Sequence, residues 1–508
     1  MKKLLQLPWY PFFLAAYAVL SLLAHNITQV KYTAGIRPLL LSLLAAGFLF
    51  LVFRLAYRSW SRAGFVSTAL LILFFTYGPV EDVIHAQWKI PSLSTWLLAT
   101  WLVLTILILV VAGLRRLHFG ALALGLNLAS LGLLVYSLVP IVQWTASSPA
   151  APPAVSQAAD QGMTLPPSSQ LPDIYYIMPE DYGRADLLQQ MDGIDDSTFM
   201  QYLKDTGFYV AQCSQSNYVT SELSLGSSLN MDYLQDLGPG FAARSIDQNP
   251  IWSAIRYNAL TPLLKSAGYK TVAFATGFAW SELDNSDVYI SPSGVWSEMT
   301  GFESLLLRDT PVRQLEDLGV LNLDEIDGQR YRERTLLVFD SAARLAEMPG
   351  PKFVFMHIIN PHPPFVFAAD GTHTDPATFL NEDKLYTQAE YARGFRDQVP
   401  FVNAELEKTI NTLIARSTRP LVIILQTDTG PWFTSGSDQF KILNAYYMPG
   451  HSAALYTSIS PVNTFRVVLN AYLGAQLPLL DDTSYFSPIP QIYDFSKVSN
   501  GCRSGQGS

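Results

Sequence analysis

Cysteine is nearly missing: Cys213 and Cys502 are the two in 508 residues. At most one intramolecular disulfide is therefore available, and it would staple the C-terminal tail. Sequence separation fixes no distance, so a bridged pair and two free thiols both stay open. Acids are almost missing from residues 1–145, where Glu81 and Asp82 face ten Lys and Arg. The rest carries 40 acids against 23 bases, so the net charge of −9 joins a basic third to an acidic remainder. That acidic remainder argues against nucleic acid as a partner, because phosphate binding needs clustered cations. There is no internal repeat. Charge is also missing from the long apolar runs, which leaves no ion pathway or proton relay to assign.

Those runs, at 7–25, 36–53, 64–80, 93–113 and 119–142, approach or exceed the ~20 apolar residues that cross a bilayer. Five transmembrane helices are expected in 1–145. The first is followed by His25 and Asn26 without a small-residue cleavage pattern, which marks a retained helix. With the N-terminus inside, Lys2, Lys3, Arg54, Arg58, Arg62, Arg115 and Arg116 lie on the cytoplasmic side. Lys31, Arg37 and Lys89 lie on the other. This bias favours an N-in, multi-pass protein of the cell membrane, and an odd number of spans puts the C-terminal part outside the cytoplasm. The helices read first as an anchor in the lipid bilayer. A lipid-substrate groove between them is the sharper alternative.

Residues 146–171 are rich in Pro, Ala, Ser and Gln and read as a disordered extracytoplasmic linker. From Asp173, apolar runs alternate with helical patterns. Strands are expected at 173–178, 208–211, 270–275, 352–359 and 420–425, with helices at 197–206, 259–267, 326–347 and 388–416. Strands apolar on both faces predict a mostly parallel sheet covered by helices on both sides, an α/β domain over 172–495 followed by a tail, 496–508. Ligands of such sheets bind beyond the carboxyl ends of the strands.

Four chain segments there carry chemistry. Glu180 and Asp181 follow the first strand as adjacent hard-oxygen donors, although one of them serving as a helix N-cap explains the pair equally well. Thr220 and Ser221 precede a helical run. A hydroxyl at a helix amino end meets free N–H groups that favour an anion, but ordinary N-caps sit there more often. His362 is held between prolines after the fourth strand, and Asp428 follows the fifth.

The stretches IYYIMPEDYGRADLL, GFYVAQCSQSNYVTSELSLGSSLNMDYL, HIINPHPPF, LQTDTGP, ILNAYYMPG and SPVNTFRVVLNAYLG resemble the alkaline phosphatase/sulfatase superfamily. Membrane-anchored sulfatase-like proteins are the nearest likeness, with lipoteichoic acid synthases and phosphoethanolamine transferases as relatives. The resemblance implies an alkaline-phosphatase-like fold and a divalent cation (Mn²⁺, Mg²⁺ or Zn²⁺) held by Glu180, Asp181, Ser221 and Asp428. It further implies Ser221, beside Thr220, as nucleophile and His362 as a substrate contact. Two positions depart from the pattern. Asp181 stands where a small residue is usual, and Thr429 stands where the metal-binding His follows the Asp. A replacement nitrogen would have to come from His357, His362, His373 or His451. The formylglycine signature of true sulfatases is missing, which argues against sulfate-ester hydrolysis by that route.

Two functions are therefore expected to compete. One is a metal-dependent phosphotransferase or phosphoester hydrolase of the cell envelope, drawing on a phospholipid donor and acting on a sugar, a lipid head group or water. The other is a pseudoenzyme with a degenerate metal site that binds an envelope glycan or protein.

Overall fold

The computed structural model describes residues 7–27, 30–88, 90, 92–114, 119–146, 170–191, 194–293, 299–374, 387–431 and 433–502. Nearly all of the expected linker lies outside these residues, as do Lys2, Lys3, Lys89, Arg115 and Arg116 of the orientation argument. The chain forms two compact units, Met1–Ser148 with Glu298–Asp327, and Pro149–Ser297 with Gly328–Ser508. Residues 298–327 thus group with the helical unit, although the sequence pattern places them inside the α/β domain.

The helical unit contains α1 (Tyr10–His25), α2 (Ile36–Tyr57), α3 (Trp60–Gln87), α4 (Leu93–Gly113) and α5 (Ala123–Ala146). Among the described residues four helices, α2 to α5, are long and apolar enough to cross a membrane; α1 is apolar but shorter. Its 16 residues give about 24 Å of helix at ~1.5 Å per residue, less than a hydrocarbon core of ~30 Å. The expected five spans therefore resolve into four full-length helices and one short one. Asn127 of α5 fastens the amino end of α1: its side-chain oxygen accepts the N–H groups of Trp9 and Tyr10, both at 2.9 Å. A polar residue inside an apolar helix is thereby satisfied, and the α1 end gains acceptors it would otherwise lack.

Within the same unit, the helix Gly301–Arg308 starts on a capping box between Thr300 and Glu303. Phe302 packs with Val19, Leu23 and Ile27. Arg37 reaches Glu303 with two guanidinium nitrogens, at 2.6 and 2.5 Å. Arg313 pairs with Glu81 at 3.2 Å and with Asp82 at 2.9 Å. The Gly78 N–H donates to the Asp309 carbonyl at 3.0 Å. A Cβ at Gly78 would stand 2.4 Å from the Arg308 carbonyl oxygen, so only glycine admits this approach.

The second unit is a seven-stranded sheet in the order β2-β7-β6-β1-β5-β3-β4. The strands are β1 (Asp173–Glu180), β2 (Tyr209–Val210), β3 (Lys270–Phe274), β4 (Val288–Ile290), β5 (Lys352–Pro361), β6 (Leu421–Gln426) and β7 (Asn444–Tyr447); a separate hairpin pairs β8 (Ser484–Phe486) with β9 (Ser496–Val498). The pairs β1–β5, β1–β6, β3–β5 and β3–β4 are parallel, while β7 runs antiparallel to β6 and β2. Alternate residues of β1 serve two cores. Ile174, Tyr176 and Met178 join one face, and Tyr175 and Ile177 the other. This is why the strand reads as apolar throughout.

Three helices bear on the site: α6 (Ser221–Asn230), α7 (Gln388–Arg416) and α8 (Pro461–Leu473). Helix α7 matches the expected 388–416 span. The expected 326–347 helix is instead two, Leu323–Asp340 and Ala342–Glu347. The expected strand at 208–211 shrinks to two residues at the sheet edge.

Candidate active site

Glu180 is the last residue of β1, where the register against β5 shifts between Pro179 and Glu180. Asp181 follows with φ +61°, a left-handed conformation that Asp tolerates better than most residues and that suits a small side chain. The chain turns there, so consecutive carboxylates serve different partners. Ser221 is the first residue of α6, and Thr220 is its N-cap with no capping bond from the side chain. Asp428 lies just past β6. Gly430 then lets the loop cross Asp438–Lys441 closely, since a Cβ would meet the Asp438 carbonyl oxygen at 2.8 Å.

These loops bring the acids together. The Ser221 hydroxyl donates to Glu180 Oε1 at 3.3 Å. The other Glu180 oxygen faces His357 Nε2 at 3.1 Å. The Asp181 N–H donates to Asp428 Oδ1 at 3.3 Å. Asp181 Oδ1 accepts the Thr429 hydroxyl at 3.0 Å, and Oδ2 accepts the Tyr391 hydroxyl at 3.0 Å. Glu180, Asp181, His357, Asp428 and Thr429 are all buried.

Burial drives the titration of two of them. His357 is pushed down to about 4, chiefly by desolvation, so its ring is neutral at neutral pH and its bond to Glu180 is a hydrogen bond rather than an ion pair. A neutral ring facing a carboxylate must donate, which puts the proton on Nε2. Asp428 is pushed up, by burial first and by the Asp181 charge second, with Ser221 and His357 working the other way.

His362 is half-buried, and its Nδ1 lies 2.7 Å from the Pro363 carbonyl oxygen. It lies close enough to His357 to disfavour a proton there. The Thr220 hydroxyl is buried beside the Glu222 carboxyl, which it helps to ionise while burial pushes that acid up.

The donor set does not fit the resident metal centre that the resemblance implies. Five of the six carboxylate oxygens of Glu180, Asp181 and Asp428 have protein hydrogen-bonding partners, and the sixth, Asp428 Oδ2, is buried without one. Among the described residues no group of three or more His, Cys, Asp and Glu is arranged to hold a metal ion. Thr429 spends its hydroxyl proton on Asp181, where a ligand would offer a lone pair.

Two contributors have weak sequence signals. His357 lies within a buried strand, where its alternation reads as packing; its ring stands 5.5 Å from that of Trp280, centroid to centroid. Tyr391 looks like the buried face of a long helix, and nothing local marks its hydroxyl.

No protein-family model matches the chain, and no curated protein does. Solved structures resemble it at low identity. The integral membrane lipooligosaccharide phosphoethanolamine transferase A (EptA) from Neisseria meningitidis is 14% identical, with 91% of this chain and 95% of that chain covered and a TM-score of 0.40. The C-terminal periplasmic domain of EcEptC from Escherichia coli, in a complex with Zn, is 12% identical over 61% of this chain and 87% of that chain, with a TM-score of 0.38. BT1596, a 2-O GAG sulfatase, is 12% identical over 64% of this chain and 74% of that chain, with a TM-score of 0.41.

Proposed function

We propose that the second unit is an extracytoplasmic phosphoester transferase or hydrolase acting on a cell-envelope substrate, with Ser221 as nucleophile. One observation carries the reading: the Ser221 hydroxyl is hydrogen-bonded to Glu180, which neutral His357 in turn orients, at the amino end of a ten-residue helix. A hydroxyl, a carboxylate and an orienting imidazole form the pattern of an activated nucleophile. The positive end of the α6 dipole favours an anionic oxygen beside Ser221. Ser221 Oγ attacks phosphorus as Glu180 takes its proton, and the ester oxygen leaves. Asp428, held up by burial and by Asp181, is suited to return a proton to it. Water or an envelope hydroxyl then releases the phosphoryl group from the serine.

The location rests on the Cys213–Cys502 disulfide, which joins residues 289 apart in sequence and belongs in an oxidising compartment. With the N-terminus inside, α1 must also cross, with the bilayer locally thinned around it, to bring the crossings to an odd number.

A second reading is favoured by the Thr429–Asp181–Tyr391 network: the fold binds an envelope glycan or protein without turnover. Full-length protein in detergent, given bis(p-nitrophenyl) phosphate and a fluorescent phosphatidylethanolamine with and without Mg²⁺, Mn²⁺ or Zn²⁺, separates the two. Turnover lost in Ser221→Ala supports the enzyme. No turnover in wild type or in Thr429→His under any of these conditions leaves the binding protein.

A further inference from the structure

Acids are missing where three arginines gather. Arg54 lies in the last turn of α2, Arg58 is its C-cap, and Arg62 follows in the first turn of α3. Glu81 and Asp82 lie toward the far end of α3, Glu81 about 28 Å from Arg62 at ~1.5 Å per residue. Among the described residues none of the three guanidinium groups meets a carboxylate; Arg62 Nη2 donates to the Leu114 carbonyl oxygen at 3.5 Å.

The turn holds one of these cations in a fixed place. The Arg54 guanidinium carbon stands 4.7 Å from the centre of the Trp60 ring, and its Nε is buried without a hydrogen-bond partner. Trp60 stacks on Phe50 at 5.6 Å, and Phe50 meets Phe12 of α1 edge-on at 5.7 Å. Three helices thus set the plane on which the guanidinium lies. Ser59, the N-cap of α3, makes no capping bond from its side chain; its hydroxyl stands 3.5 Å from that of Ser61. The 22 residues of α2 give about 33 Å at ~1.5 Å per residue, against a hydrocarbon core of ~30 Å. Its last turn therefore ends at the depth of the lipid phosphates.

We propose that the α2–α3 turn binds the head-group phosphate of an anionic membrane phospholipid, with Arg54 as its main contact and Arg58 and Arg62 adding charge. A guanidinium fork gives phosphate charge-assisted hydrogen bonds, and the positive end of the α3 dipole adds to the attraction. At the hydrocarbon edge the dielectric is lower than in water, which strengthens the pairing. With the N-terminus inside, the lipid belongs to the cytoplasmic leaflet. The proposal is independent of chemistry at Ser221.

The test titrates the full-length chain, delipidated in detergent, with dioleoyl phosphatidylglycerol or dioleoyl phosphatidylcholine. Native mass spectrometry reads the retained lipid. Phosphatidylglycerol should bind at least roughly tenfold more tightly, since each basic residue at a membrane surface contributes about fivefold. Arg54→Gln should lower that preference about fivefold. Trp60→Leu should weaken it with all three charges in place, and Lys31→Gln, which removes a cation outside this turn, should leave it unchanged. Gel filtration confirms that each variant is intact. Equal retention of the two lipids by wild type, or a loss in Arg54→Gln no larger than in Lys31→Gln, overturns the proposal. Displacement of the lipid by equimolar inorganic phosphate also overturns it, because the turn is then a free-phosphate site.

Discussion

Thr429 donates its hydroxyl to the carboxylate of Asp181 across 3.0 Å. These are the two positions at which the chain departs from the motif it resembles, and they are bonded to each other. Replacing a ligand with threonine frees space and removes a nitrogen; placing Asp at 181 supplies an acceptor for the new hydroxyl. The two changes act as a unit. Reversing one alone leaves a buried polar group without its partner, a cost of about 1–3 kcal/mol.

The double variant Asp181→Gly/Thr429→His should therefore bind Zn²⁺ or Mn²⁺ at least tenfold more tightly than wild type, since losing even a group that only orients a ligand commonly costs a factor of roughly 10–100. Thr429→His alone should gain less, because Asp181 still fills the site. Glycine suits the φ of +61° at 181. Isothermal titration of the full-length proteins reads the difference.

Burial makes His357 a source of acid sensitivity. Its pKa falls from 6.5 to about 4 on folding, so the folded state binds fewer protons than the unfolded chain between those values. Stability is then flat above about pH 6.5 and lost as pH falls toward 4, by an amount on the order of 3 kcal/mol. In His357→Gln this slope should flatten while the side chain still donates to Glu180. Urea midpoints from pH 4 to 7.5, followed by a signal from the second unit, check it.

At the opposite end of β1 from Glu180, Lys352 and Asp173 form a buried ion pair, and the Lys352 ammonium also donates to the Met348 carbonyl at 2.9 Å. Lys352→Ala leaves the buried Asp173 carboxylate with only Arg419, at 3.7 Å, as a cation and should cost about 3 kcal/mol. Lys352→Met with Asp173→Leu should recover most of that loss. Thermal unfolding of both variants distinguishes a removed charge from a removed volume.

If the second unit lies outside the cytoplasm, unreduced protein purified from membranes should take up no maleimide-polyethylene glycol after denaturation, and two equivalents after reduction. Uptake of two without reductant would place Cys213 and Cys502 in a reducing compartment and remove α1 from the count of crossings.

Much of the architecture was legible in the chain. The strands β1, β3, β5 and β6 stand out because a strand buried on both faces must be apolar at every position, a pattern visible without knowing its neighbours. Strands β4 and β7 escaped detection: three or four residues at or near a sheet edge carry too little apolar period to register. Helix α7 shows because amphipathic spacing persists over 29 residues.

The site divides in the same way. Glu180, Ser221 and Asp428 are marked by position, each just beyond or at the end of an element whose direction the pattern gives. Local composition likewise determined an apolar, basic helical third joined to an acidic α/β domain, because hydrophobic period and charge are carried by neighbours along the chain. What only the tertiary structure decided was which distant side chains meet. Tyr391 reaches Asp181 across 210 residues, and Glu303 joins Arg37 across 266. The Thr429 hydroxyl satisfies Asp181 instead of leaving a gap in a metal shell. Hydrogen bonds have a range of a few ångströms, and that proximity is set by how the sheet order brings β1, β5 and β6 side by side.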